Sequence, residues 1–124
     1  MQNKSLNILV TGAAGFLGSH LSEKLANMNH NVIGMDNMKG GYADNVPKNI
    51  KFFNSDCCDL KKMNELMKGI DVVYHCAATA HEGLSVFSPY EIGKNNFLAS
   101  SAVFSSAIAN KVKRIIFCSS MARY

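Results

Sequence analysis

The sequence predicts an α/β domain built on a doubly wound parallel sheet. Three features predict it: five short apolar runs, amphipathic or small-residue stretches between them, and three glycines where the first run gives way to the first stretch. A chain of 124 residues fits one domain and can bury a core without disulfides or metals. Hydrophobic residues make up 48%, so disorder is not the expectation.

Residues 6–10 form a short apolar run stopped by Thr11-Gly12, the signature of a buried strand. Over residues 16–28 the period changes. Leu17, Leu21, Leu25 and Met28 fall on one face of a helix that Asn29, His30 and Asn31 end. Residues 32–35 read as a second strand closing on Asp36-Asn37, and Lys39-Gly40-Gly41 then marks a loop. A third strand follows at 50–54, and a short helix at 60–68 is stopped by Gly69. Residues 70–76 read as a fourth strand and 77–89 as irregular chain. The alanine- and serine-rich stretch 96–110 reads as a long helix able to pack closely on a neighbour, and 114–119 as a fifth strand. Strands and helices thus alternate as β-α-β-β-α-β-α-β, with right-handed crossovers expected.

The turn from first strand to first helix reads Thr11-Gly12-Ala13-Ala14-Gly15-Phe16-Leu17-Gly18. Gly12 permits a tight turn, Gly15 lets backbone approach a diphosphate, and Gly18 lets the helix pack close to the sheet. Backbone N–H groups around Ala14, Gly15, Phe16 and Leu17 would face the anion, aided by the helix dipole. Three glycines alone could be a bare turn. A strand before them and an amphipathic helix after them make the phosphate loop of a Rossmann-type domain the better reading. Asp36, at the end of the second strand, then falls where an adenosine ribose lies. A carboxylate there accepts hydrogen bonds from both ribose hydroxyls and repels a 2′-phosphate, which favours NAD over NADP. Lys39 nearby would soften that preference, and a solvated strand-end aspartate is the bland alternative.

The formal net charge is +4, with the basic residues scattered except for Lys111, Lys113 and Arg114. No basic block interleaved with aromatics exists, so nucleic acid is not an expected partner. No run of roughly 20 apolar residues exists, so no membrane span is expected. The first five residues lack the apolar stretch of a signal peptide. The four cysteines, Cys57, Cys58, Cys76 and Cys118, form no C-x-x-C pair, so no metal is expected. Cys76 and Cys118 lie in apolar runs and read as small buried hydrophobes, a usage that suits a reducing, cytoplasmic location.

Several motifs converge on one family. The segment 11–18 resembles the T-G-x-x-G-x-x-G loop of the extended short-chain dehydrogenase/reductases, the nucleotide-sugar epimerase and dehydratase group. Asp36-Asn37, the D-x-x-D-L of Asp56 to Leu60, the H-x-A-A of His75 to Ala78, the P-x6-N of Pro89 and Asn96, and the S-S-x-x-x-Y of Ser119 to Tyr124 match that group in order. Ala99 and Ala102 depart from its usual glycine and asparagine.

The resemblance implies that Asp56 contacts the adenine amino group, with Cys57 contributing backbone. It implies that Ala77 and Ala78 line the cofactor, that Asn96 steadies the active-site backbone, and that Ser120 is the substrate-facing hydroxyl with Ser119 beside it. His75 reads better as a satisfied core histidine than as a catalyst, and Asp59 equally well as a helix cap.

The family's acid/base pair, Tyr-x-x-x-Lys, is missing. Tyr90 and Lys94 fit the bare spacing but precede the fifth strand, so the match reads as coincidence. The chain is therefore expected to be the NAD-binding portion of a larger enzyme that moves hydride between a nucleotide-sugar carbon and NAD. A non-catalytic dinucleotide-binding module, or a family reductase acting on a non-sugar substrate, are the alternatives. The resemblance also implies a homodimer formed through helices, including the one matching residues 96–110.

Overall fold

A computed structural model describes residues 4–80 and 82–123. Five parallel strands form one sheet in the order β3-β2-β1-β4-β5. They are β1 (Asn7–Thr11), β2 (Asn31–Asp36), β3 (Lys51–Asn54), β4 (Val72–His75) and β5 (Arg114–Phe117). Each lies within a residue or two of its predicted bounds, the usual scatter at strand ends. The order reverses between β1 and β4, so their C-terminal ends flank the crevice in which open α/β sheets bind ligands.

Register sorts the side chains by face. Leu9 pairs with Ile33 and Val73, and Val73 with Ile115. These four point to one side and pack with Met63, Leu66, Met67, Val103 and Ala107 of α2 (Leu60–Leu66), its C-cap Met67 and α5 (Ala99–Ala109). Ile8, Val10, Val32, Val72 and Tyr74 point to the other side, beneath Leu21 and Leu25 of α1 (Phe16–Asn27). Helices therefore cover both faces, the doubly wound arrangement that the short apolar strands predict.

Three expectations are corrected. The buried stripe of α1 is Gly18, Ser19, Ser22 and Leu25, while Leu17 and Met28 stand 54% and 51% exposed. Small residues take the inner face because the helix begins in contact with the loop before it, leaving no room there for leucine. Second, residues 77–89 are not wholly irregular, since α3 spans Glu82–Phe87. The long helix also starts earlier than Asn96: α4 (Pro89–Ile92) opens it with proline in its first turn, and a π-type turn (Gly93–Leu98) joins α4 to α5. Third, Cys118 is exposed and Cys76 only half-buried, whereas Cys57 is buried. Position 118 lies just past β5, the outermost strand among the described residues. Ala99, Ala102 and Ala107 are buried, as a close-packed helix requires.

Asp59 caps α2, its Oδ1 accepting from the Lys62 N–H at 3.0 Å. Asp59→Ala is expected to lower stability by about 1 kcal/mol. A shift of the urea midpoint with an unchanged slope checks this.

Candidate functional site

The loop after β1 depends on two glycines. Gly12 holds φ +73, and a Cβ there would lie 2.9 Å from the Cys76 carbonyl carbon and the Ala77 nitrogen. A Cβ on Gly18 would overlap the Gly12 carbonyl. Gly15 caps α1 in an extended conformation with no side-chain cap, and the first turn carries no acidic residue. The opening N–H groups at Phe16, Leu17 and Gly18 have no carbonyl four residues back within the helix. An uncapped, positively polarised helix start beside side-chain-free backbone fits a diphosphate.

The Ala14 N–H, expected to face the anion, donates instead to Asp36 Oδ2 at 3.1 Å. Asp36 Oδ1 accepts from the Met38 N–H at 2.8 Å. Ala14's carbonyl in turn accepts from the Tyr42 N–H at 3.1 Å and from Asn45 Nδ2 at 3.2 Å. The segment after β2 is thereby clasped onto the glycine loop. Asn45 and Tyr42 were not legible as part of this arrangement, since a lone asparagine in a polar loop carries no distinguishing signal.

Asp56 follows β3 and faces Asn37. Its Oδ1 accepts from the Cys58 N–H at 2.8 Å, and Oδ2 receives Asn37 Nδ2 at 3.5 Å. Partial burial opposes ionisation of Asp56. The Cys58 N–H, the Asn37 amide and the Lys94 charge outweigh it and hold the carboxyl below its ordinary value. Burial, followed by the charge of Asp56, pushes the neighbouring Cys57 thiol up to about 12, so it stays protonated.

A buried chain of hydrogen bonds crosses from β1 to the long helix. The Ala77 N–H donates to Thr11 Oγ1 at 3.1 Å, and Thr11 Oγ1 lies 2.7 Å from His75 Nδ1. His75 Nε2 lies 2.9 Å from Ser100 Oγ, which donates to the Asn96 carbonyl. Only one proton assignment satisfies every member: Thr11 donates to Nδ1, and Nε2–H donates to Ser100. His75 is then neutral, and burial lowers its pKa to about 4. This is the satisfied core histidine expected. Thr11 and Ser100 were missed because hydroxyls at a strand end and mid-helix are unremarkable in sequence.

Asn96 pairs with the Thr79 backbone in both directions, its Oδ1 accepting from Thr79 N–H at 2.8 Å and its Nδ2 donating to the Thr79 carbonyl at 3.0 Å. It thus holds the segment after β4 in place. Ala77, Ala78, Asn96, Ser119 and Ser120 line one cleft of about 390 Å³ at the C-terminal ends of β4 and β5. Ser119 has a φ of 55, and Ser120 Oγ accepts from the Ala122 N–H at 3.1 Å. Tyr124 lies outside the described residues. The glycine loop meets this cleft where Gly12 lies against Cys76 and Ala77, and Asp36 is tied to the same loop through the Ala14 N–H.

A model of the NAD dependent epimerase/dehydratase family matches residues 8–124. The chain belongs to that family. A UDP-glucose 4-epimerase of Halalkalibacterium halodurans is 34% identical to this epimerase/dehydratase chain over 119 residues, 94% of the chain and 35% of the relative. A UDP-N-acetyl-alpha-D-glucosaminuronate decarboxylase of Bacillus cytotoxicus is also 34% identical, over 94% of the chain and 37% of that protein. The solved UDP-glucose 4-epimerase of Brucella ovis, in complex with NAD, superposes with a TM-score of 0.90 at 31% identity, covering 97% of this chain and 37% of its own. The chain therefore spans little more than a third of the length of these relatives. An epimerase and a decarboxylase match it equally well, so this part of the family's fold does not separate one sugar reaction from another. Among the described residues no helix is long and apolar enough to cross a membrane.

Proposed function

We propose that this chain is the NAD-binding portion of a nucleotide-sugar epimerase/dehydratase-type oxidoreductase. The observation that carries the reading is the uncapped start of α1 beside Gly12 and Gly18, with the Asp36 carboxylate braced against the same loop. When bound, NAD would supply hydride-transfer chemistry at a sugar carbon, held by the start of α1 and by Asp36.

The chain's own residues do the rest. Phe16, Leu17 and Gly18 present N–H groups to a diphosphate. Asp36 accepts hydrogen bonds from ribose hydroxyls, its outer lone pairs remaining beside the two backbone donors it already holds. Its negative charge opposes a 2′-phosphate, the basis for NAD over NADP. Asp56, ionised and held by Cys58 and Asn37, offers an acceptor for the adenine amino group, with Cys57 backbone beside it. Ala77 and Ala78 form a wall without bulky side chains. Asn96 fixes that wall through Thr79. Ser119 and Ser120 bring hydroxyls to the opposite side of the cleft, Ser120 as the group that meets a sugar hydroxyl. The substrate is proposed to be a nucleotide sugar, following the activities of the relatives.

Calorimetric titration tests the reading. The protein is expected to bind NAD more tightly than NADP, and Asp36→Ala to weaken NAD roughly 10- to 100-fold, the loss of charged hydrogen bonds. Circular dichroism of the variant separates this loss from unfolding. Equal affinity of the unmodified protein for both dinucleotides would remove the role given to Asp36.

A further inference from the structure

We propose that Cys76 and Cys118 form a reversible dithiol/disulfide pair, a redox modification site at the mouth of the cleft. The proposal is independent of which dinucleotide or sugar the protein takes.

The sheet places the two sulfurs together. Register along β4 and β5 runs from Val72 opposite Arg114 to His75 opposite Phe117. One residue further brings Cys76 opposite Cys118. Their Sγ atoms are 3.7 Å apart, the Cys118 thiol donating to Cys76 Sγ with no disulfide between them, and both residues line the cleft. Neighbouring strands lie about 4.8 Å apart. A disulfide needs Cα atoms roughly 4.4–6.8 Å apart. That generic spacing falls within the range a disulfide needs, and the two sulfurs must close from 3.7 Å to bonding distance by side-chain rotation. The other adjacent pair, Cys57 and Cys58, offers no such arrangement: Cys57 is buried, and the Cys58 sulfur is directed at the Lys94 carbonyl at 3.5 Å.

The two thiols also differ in the way such a pair requires. Cys118 is exposed and reachable by solvent, while Cys76 is half-buried behind it. Burial, then the nearby Cys118, pushes the Cys76 thiol up to about 12, so Cys76 is not the first to react. With a peroxide as oxidant, the deprotonated Cys118 sulfur attacks one peroxide oxygen. The O–O bond breaks, hydroxide leaves, and Cys118 becomes a sulfenic acid. The Cys76 sulfur then attacks the Cys118 sulfur, the S–O bond breaks, and the departing hydroxide takes the Cys76 proton and leaves as water. Two thiols and one hydrogen peroxide give one disulfide and two waters. The bridge would tie together the strand ends that carry Ala77 and Ser119. Its exposure makes it open to reduction by small thiols.

The test treats the protein with a small excess of hydrogen peroxide, alkylates the remaining thiols and digests without reduction. Two of the four cysteines should be lost to alkylation. Mass spectrometry should find the Cys76 and Cys118 peptides joined, lighter by two hydrogens than their sum, and separated again by dithiothreitol. Oxidation should raise the thermal midpoint of the unmodified protein and leave that of Cys118→Ser unchanged. In Cys76→Ser, Cys118 should be trapped by dimedone as the sulfenic acid. Recovery of Cys76 fully alkylated, with Cys118 unlinked or over-oxidised, would overturn the proposal. A Cys57–Cys58 link in its place would do the same.

Discussion

Gly18→Ala is expected to abolish measurable dinucleotide binding and to lower the unfolding free energy by about 3 kcal/mol. The added methyl would overlap the Gly12 carbonyl and sit 3.1 Å from the Ala13 Cα, both backbone and unable to step aside. Two effects compete. Alanine in a helix is intrinsically better than glycine by about 1 kcal/mol. The overlap is with main chain that is itself fixed at φ +73 and lies against Cys76 and Ala77, so the helix must move bodily outward and the clash dominates. Gly40→Ala is the control, since nothing lies within 4 Å of a Cβ there, and its stability should change by less than about 0.5 kcal/mol. Denaturant titration of both variants, with NAD calorimetry, measures the contrast. Unaltered stability and affinity in Gly18→Ala would show that α1 does not start where Gly12 holds it.

The second large effect is on acid stability. His75 has a pKa of about 4 in the folded protein, against 6.5 for an unburied histidine. Above pH 6.5 the ring is neutral folded or unfolded, and the native network keeps its full value. Between 6.5 and 4 the unfolded chain binds a proton that the folded one refuses, so stability falls as pH falls. The full difference corresponds to about 3 kcal/mol. A protonated ring would also set two donors, Thr11 Oγ–H and Nδ1–H, against each other. His75→Gln keeps a neutral amide among Thr11 and Ser100 but cannot titrate. It is expected to be less stable at pH 7 by about 1–3 kcal/mol and to lose most of the slope between pH 6.5 and 4. Urea midpoints at half-unit pH steps give both quantities. An identical slope in the variant would place the acid-sensitive group elsewhere.

Much of the fold was legible because periodicity reports burial directly. Runs such as Ile8-Leu9-Val10 are apolar on both sides of the strand because helices cover both faces. The α1 stripe misled for a related reason. Leucine spacing signals an inner face only when space exists for leucine, and the contact of Gly18 with Gly12 removed it. The segment after β4 gave no periodic signal because α3 exposes Leu84, Val86 and Phe87. At the candidate site, the glycines and Asp36 were legible through their place between elements. The backbone-steadying role of Asn96 was implied by the family motif, but its partner Thr79 and the link from Asn45 to Ala14 were not, because each joins residues whose spacing has no period. The geometry of the two cysteines depends on strand register, which emerges only when β4 and β5 pair.

The clasp on Asp36 has an energetic consequence for recognition. Two main-chain donors fix both oxygens of its carboxylate when the chain folds. A ribose bound there, as proposed, would immobilise no torsion in that side chain. A freely rotating aspartate would surrender about 0.5–1.5 kcal/mol of conformational entropy at every association. Here that loss is incurred once, at folding, and the contact starts rigid.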